Sequence, residues 1–381
     1  MPKELVNNPH QLEKSLKMII KKNIISVTVV LFFVLAFNAC KQTTKEPELV
    51  QTPINYLEES EEDFSKRMQW FNDAKYGMFI HFGLYSQLGG IYKGNDKGRY
   101  AEWIQGNQNI PKEKYVKLLN TWNPKDFDAD KIVKLAKDAE MKYLVITTKH
   151  HEGFCLWDSK YTDFDIASTP MKDRDFIQEL ADACKKQGIV FGTYYSITDW
   201  HEGSQYVEEG KGWGMMKMHE GQKEKYVSYM KNQIKELIEN YDTNILWFDG
   251  DWVDWWTLED GNDLYQYIRE LKPSIIINNR VSKRKIFKKD FGTPEQFHLD
   301  SIVKHNWEAC YTMNDSWGFK KIDTAWKSPE VVYEKLKDIN GKGGNLLLNV
   351  GPDGNGVVPE RSAEILLEVG EYDAIVLAKA G

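Results

Sequence analysis

From about residue 77 onward, short apolar runs alternate with stretches in which apolar residues return every three or four positions. The runs at 77–81, 143–147, 189–195, 244–248, 274–278 and 345–349 are rich in β-branched and aromatic residues and predict strands. Weaker runs at 289–292 and 307–311 predict two more. Residues 129–139, 174–187, 224–241, 264–271, 329–339 and 359–367 read as helices. In Asp130-Lys131-Ile132-Val133-Lys134-Leu135-Ala136, for example, the apolar residues fall on one helical face. Repeated strand–helix units imply parallel strands joined by right-handed crossovers. About eight such strands fit an α/β fold of the (β/α)8 barrel type. The alternative, a doubly wound open sheet, favours a glycine-rich first turn, and no GxGxxG follows the first strand.

The beginning of the chain has another pattern. Residues 24–37 are mostly apolar, which is short of the roughly 20 that span a bilayer. Lys21 and Lys22 precede this run, and Asn38-Ala39-Cys40 follows it. A basic flank, a short apolar core and a small residue before a cut site make 1–39 a secretory signal. The Cys that follows resembles a bacterial lipoprotein signal, with cleavage before Cys40 and lipid on its sulfur; Phe37 stands where Leu is usual. An ordinary signal peptide is the alternative. Met18 opens a better-formed signal than Met1 does. Residues 40–63 are polar and acidic without apolar periodicity and read as a flexible tether, so the folded domain is expected over 64–381.

Composition narrows the function. Acids outnumber bases 57 to 50, which argues against a nucleic-acid binder that relies on a broad basic surface. Four Cys are too few for a disulfide scaffold. The 13 Trp, 19 Tyr and 17 Phe supply core volume, and sugar clefts also use their flat faces.

The chemically loaded residues fall just after the strands: His81, His150, His151, Asp199, Asp249 and Arg280. A barrel gathers its strand C-termini around one mouth, so these residues are expected to converge. In Ile245-Leu246-Trp247-Phe248-Asp249-Gly250-Asp251-Trp252, a hydrophobic strand ends in a carboxylate between indoles. A helix cap or turn is the plain alternative for that Asp. Lys149-His150-His151-Glu152-Gly153 lacks the i, i+4 spacing of a helical zinc site, so hydrogen bonding to substrate hydroxyls is the better reading of its histidines. Glu295 follows a weak strand in a loop near the same mouth; Glu308 lies inside a strand-like run, where a structural role is more natural. Two carboxylates among Trp, His and Arg are the minimum kit for glycoside hydrolysis.

Together, several segments resemble glycoside hydrolase family 29, the α-L-fucosidases. They run from Trp70-Phe71-Asn72 through Phe79-Ile80-His81-Phe82-Gly83, Tyr100-Ala101-Glu102-Trp103, Lys149-His150-His151-Glu152, Gly192-Thr193-Tyr194-Tyr195-Ser196 and Leu246-Trp247-Phe248-Asp249. Asn278-Asn279-Arg280, Trp307-Glu308-Ala309-Cys310, Ser316-Trp317-Gly318 and Asn345-Leu346-Leu347-Leu348-Asn349 complete the set, in the family's order. The resemblance implies a retaining exo-enzyme of the broad-specificity type, with no metal or organic cofactor, acting on a fucosylated glycan. Asp249 matches the nucleophile. Glu295 is the choice for acid/base, with Glu308 as fallback and Glu102 a further candidate by position. His81, Glu102, Trp103, His150, His151, Tyr194, Trp247, Arg280 and Trp317 match the sugar pocket. The implied place is the envelope of a Gram-negative bacterium, with membrane contact only through lipid on Cys40; oligomeric state is left open.

This chain departs from the family at Phe82 (usually Trp), Glu152 (usually Asp) and Glu140 (usually Gly). The family's customary C-terminal β-sandwich is expected to be absent. A non-catalytic fucose-binding lipoprotein and a glycosidase for a sugar of similar stereochemistry are the competing readings.

Overall fold

Alternate residues of a strand face opposite sides, and here both sides are apolar. In a computed structural model that describes residues 54–380 together with Glu13, Lys17 and Met18, the main strands are buried almost throughout, as in a parallel sheet covered on both faces. The chain divides into Met1–Ile54 and Asn55–Gly381, and the fold described is that of the second unit. The signal, Cys40 and the tether up to residue 53 lie outside the described residues.

The main elements are α1 (Glu61–Ala74), β1 (Tyr76–Ile80), α2 (Ala129–Asp138), β2 (Tyr143–Lys149), α3 (Phe176–Gln187), β3 (Val190–Ser196) and α4 (Lys223–Tyr241). They continue as β4 (Ile245–Asp249), α5 (Leu258–Leu271), β5 (Ile276–Ile277), β6 (Glu308–Thr312), α6 (Pro329–Gly341), β7 (Asn345–Val350) and α7 (Glu360–Ala380). The seven strands form one parallel sheet in the order β5-β4-β3-β2-β1-β7-β6. Between its edges runs an eighth, irregular segment. Phe291 bridges Asn278, Gly292 bridges Trp307, and Glu295 bridges Cys310. Pro294 has no N–H to give a ladder, which is one reason 289–292 makes isolated bridges instead of the strand the sequence predicts. The α/β, (β/α)8-type fold follows.

Period two sorts the core. Phe79, Tyr143, Val145, Tyr194, Ile245 and Trp247 point into the barrel. Met78, Ile80, Leu144, Ile146, Tyr195, Leu246 and Phe248 point out under the helices. Helix α1 plugs the end where the strands begin: Met68, Phe71 and Ala74 join the inner cluster, and Asn345 donates to the Phe71 carbonyl. Side-chain caps start the helices at Ser60, Asp128, Asp175, Thr257 and Ser328.

The sequence reading places 40–63 in the tether; the folded unit instead begins at Asn55. Tyr56 and Leu57 pack on the core, Ser60 caps α1, and Glu61, Glu62 and Asp63 form its first turn, next to the positive end of the helix dipole. Glu59 bonds both Arg67 and Arg269, and Arg67 reaches on to buried Asp290. An acidic run without apolar period is thus folded through ion pairs. The predicted strand at 274–278 shortens to two paired residues, and the helix from Glu360 extends past 367 to Ala380.

Candidate active site

At the C-terminal ends of the strands lies a cavity of about 370 Å3, within the range of small-molecule sites. It is lined by Phe79, His81, Arg99, Tyr100, Glu102, Trp103, Asn107, His150, His151, Tyr194, Trp247, Asp249, Trp252, Arg280, Glu295, Cys310 and Trp317. Strand parity builds its floor: Phe79 and His81, and Trp247 and Asp249, are i, i+2 pairs on inward faces. The register of β2 against β3 shifts between Thr147 and Lys149, and the turn after it presents both His150 and His151, ring centroids 4.2 Å apart. Gly153, at φ 85°, closes that turn.

Asp249 is the electrostatic centre. Its Oδ1 accepts from Arg280 Nη1 at 2.8 Å and from Arg284 Nη2 at 3.0 Å. Its Oδ2 lies 3.7 Å from His151 Nε2. Burial alone would raise this carboxyl, but the cations of Arg280 and Arg284 outweigh burial and hold it down at about 2. Arg280 is itself buried, stacked on Trp247 at 4.5 Å and fixed by the side chain and carbonyl of Thr293. Its Nη2 pairs with Glu295 Oε2 at 3.0 Å, so one guanidinium joins both candidate carboxylates. The Glu295 side chain is 37% exposed, open to the cavity mouth.

Glu308 is placed differently. It does not line the cavity and is completely buried, accepting from Trp247 Nε1 at 2.9 Å and from the Tyr143 hydroxyl. Burial pushes its carboxyl up to about 7. It braces the Trp247 indole from behind the cavity.

The histidines are neutral hydrogen-bonding groups. Burial pulls His81 down to about 3 and His151 to about 4, and takes His150 well below its usual range. Asn349 donates to the Trp317 carbonyl, so its Oδ1 faces His81 Nδ1 at 2.6 Å and must accept from it. That leaves Nε2 of His81 as an acceptor. Ser196 donates to the Thr198 carbonyl and so accepts from His151 Nδ1 at 2.6 Å, leaving its Nε2 free of a proton too. Glu102 accepts from Gly318 N–H at 2.8 Å; burial raises its carboxyl to about 7. Glu102 Oε1, His150 Nδ1 and the Tyr194 hydroxyl are buried without a partner among the described residues. Buried polar groups are rarely left unpaired, so three orphans lining one cavity mark where a polyhydroxylated ligand belongs.

The structure therefore brings together Asp249, Glu295, His81, Glu102, Trp103, His150, His151, Tyr194, Trp247, Arg280 and Trp317, and sets Glu308 behind them. Sequence reasoning missed Arg284, Phe79, Tyr100, Arg99, Asn107 and Cys310. Phe79 was findable by parity with His81; Arg284, past the short 3-10 turn Asn279–Val281, carries no such spacing signal. Asp199 does not reach the cavity; it is buried with Lys149 at 2.8 Å, behind the histidines. Glu152 lies in the wall behind the site, tying Leu84 N–H to Tyr115. Among the described residues, no group of three or more His, Cys, Asp or Glu is arranged to hold a metal ion.

The profile of the alpha-L-fucosidase family matches residues 43–375. The alpha-L-fucosidase AlfC from Lactobacillus casei, solved with α-L-fucose product, superposes with a TM-score of 0.74 at 36% identity, covering 82% of this chain and 99% of that one. Alpha-L-fucosidase isoenzyme 1 from Paenibacillus thiaminolyticus gives 0.73 at 37%, covering 82% of this chain and 76% of its own. The alpha-L-fucosidase of Dictyostelium discoideum is 27% identical over 334 residues, 80% of this chain and 69% of that protein. With the family profile matched over most of its length, and with a site of this chemistry at the strand ends, the chain belongs to glycoside hydrolase family 29 and is a glycosidase of the α-L-fucosidase type.

Proposed function

We propose that this enzyme is a retaining exo-α-L-fucosidase that works through a covalent glycosyl-enzyme on Asp249, with Glu295 as acid/base. The observation that carries the proposal is the shared guanidinium of Arg280, which gathers both carboxylates in one cavity. Two carboxylates on one planar cation fit the spacing of about 5–5.5 Å used in double displacement better than the ~6.5–9.5 Å that leaves room for a water. Their surroundings divide the labour. Asp249 is held ionised by two arginines, and Glu295 sits at the mouth where a leaving oxygen departs.

In the first half, Asp249 Oδ2 attacks the anomeric carbon while the glycosidic bond breaks. The leaving oxygen takes the Glu295 proton. In the second half, water gives a proton to the Glu295 carboxylate and attacks the same carbon. The ester bond breaks and its electron pair returns to Asp249. The Nε2 acceptors of His81 and His151, with Glu102, His150 and the Tyr194 hydroxyl, take the fucose hydroxyls. Phe79 and Trp317 give its methyl an apolar wall. The half-buried rim of Tyr100, Trp103 and Trp252 supports acceptance of varied leaving groups, the broad-specificity reading.

Release of nitrophenol from an aryl α-L-fucoside by residues 41–381, beside Asp249→Asn, tests this. Turnover by the wild type with loss in the variant is the expected outcome. A folded wild type that binds fucose without turnover would favour the binding-protein reading. The exported, lipid-anchored state is likewise proposed: tagged fatty acid should be incorporated in cells by the wild type and not by Cys40→Ser, and equal labelling would refute the anchor.

A further inference from the structure

Arg284 stands outside the sugar pocket yet bonds the reacting carboxylate. Its Nη2 meets Asp249 Oδ1 at 3.0 Å. Its Nε meets both oxygens of Asp251, at 2.8 and 2.9 Å, and Nη2 bonds Asp251 Oδ1 as well. The backbone repeats the link, because Arg284 N–H donates to Asp251 Oδ2 at 3.1 Å. Asp251 is buried, and the Arg284 guanidinium lies 5.5 Å from the Trp252 ring centre. Gly250, at φ 93°, is what turns Asp249 and Asp251 toward the same cation; a Cβ there would also crowd the Thr198 backbone at 3.0 Å.

The pairing has a chemical consequence. Oδ1 of Asp249 is taken by two arginines and Oδ2 by none, so Oδ2 is the atom free to attack. When Asp249 becomes an ester its negative charge disappears, and any cation paired only with it would be stranded. Neither arginine is: Arg280 keeps Glu295 and Arg284 keeps Asp251. Both cations therefore stay in position through the covalent intermediate, aimed at the carboxylate that must leave. Charge stabilisation that is already in place costs no reorganisation at the moment of reaction.

We propose that Arg284 is a positioning residue of the double displacement, clamped by Asp251 so that it reserves Oδ2 of Asp249 for attack and stabilises the departing carboxylate in the second half. The proposal rests on the retaining reading of Asp249. It assigns Arg284 more weight in hydrolysis of the ester, where Asp249 is the leaving group, than in its formation, where a strongly held carboxylate is a weaker nucleophile.

The test is stopped-flow release of chloronitrophenol from 2-chloro-4-nitrophenyl α-L-fucoside by the wild type, Arg284→Met and the Arg284→Met/Asp251→Asn pair. The double variant removes the buried charge that the single one strands, and serves if the single one folds poorly. Loss of one charged hydrogen bond to the leaving carboxylate should slow ester hydrolysis on the order of tenfold to a hundredfold. Both variants should then show a burst stoichiometric with enzyme, with kcat and KM falling together. Azide should raise kcat, and the acid limb of kcat/KM should move to higher pH. Equal losses in kcat and kcat/KM with no burst and an unmoved acid limb would overturn the proposal. So would wild-type kinetics in the double variant, since Arg284 would then serve only to neutralise Asp251. The anomer first released by the wild type, followed by NMR, reports separately on retention.

Discussion

Replacing Glu295 and Glu308 by alanine should give opposite results, because the two carboxylates are supported in opposite ways. Glu295 is 37% exposed and, among the described residues, pairs with Arg280, which keeps Asp249 and Thr293 as partners after the change. Glu295→Ala should alter stability by less than about 1 kcal/mol. Its effect should fall on chemistry. For sugar or alkyl leaving groups, which need a proton, kcat/KM should drop about 10²–10⁴-fold, and far less for an activated nitrophenolate. Azide should rescue the second half as the α-fucosyl azide. Glu308→Ala instead strands the Trp247 indole N–H and the Tyr143 hydroxyl in the core. At about 1–3 kcal/mol for each stranded donor, it should lose roughly 2–6 kcal/mol of stability. It should also weaken all substrates alike, since Trp247 lines the cavity. The assay is a leaving-group series for each variant beside its thermal melt. A steep leaving-group dependence for a normally stable Glu308→Ala, with a flat one for Glu295→Ala, would refute the assignment.

Three further outcomes follow from the described contacts. Tyr194→Phe removes a buried hydroxyl that lacks a partner, so it should melt no lower than the wild type while binding fucose about two- to tenfold more weakly; a clear loss of stability would contradict the orphan. Glu140 sits at φ 63°, a left-handed conformation that favours glycine, so Glu140→Gly should gain about 1 kcal/mol in denaturant titration, against a weak exposed pair with Lys142; no gain would contradict the strain. Burial raises Glu102 and Glu308 to about 7 and Glu152 to about 8, so the fold holds protons that the unfolded chain releases. Their contribution is full below the ordinary carboxylate range and lost as pH rises through 7–8; the depressed histidines act only below about 6.5, so the melting temperature should fall between pH 6.5 and 8.5, and a rise would contradict it.

Much of the site was legible wherever it rides on a regular strand. A period of two carries Phe79 to His81 and Trp247 to Asp249, so a strand that ends in a polar residue announces both its inward face and its mouth. The same parity separates Tyr194, which lines the cavity, from Tyr195, which turns outward to Gln233. Glu102, Trp103 and Trp317 have no such period. The first two come from a single 3-10 turn at Ala101–Trp103 and the third from a loop, so only the family resemblance pointed to them. Arg284 lay beyond both methods, because its partner Asp251 becomes visible only when Gly250 reverses the chain. The start of the fold was misplaced for a related reason. Glu59 and the acidic turn after Ser60 carry no apolar pattern; Arg67, Arg269 and Asp290, from 8 to more than 200 residues away, give that segment its place. The weak eighth segment bonds through isolated bridges around Gly292 and Pro294, which leave little strand signal in sequence.

The central claim is that Asp249 forms a bond to fucose. A 2-deoxy-2-fluoro fucosyl fluoride slows the second half more than the first and should trap the ester, and peptide mass spectrometry of the trapped protein then locates it. One label per molecule on the peptide containing Asp249, lost in Asp249→Asn, is the expected result. A label on another carboxylate, or no label from a wild type whose first product is the inverted β-anomer, would contradict the mechanism.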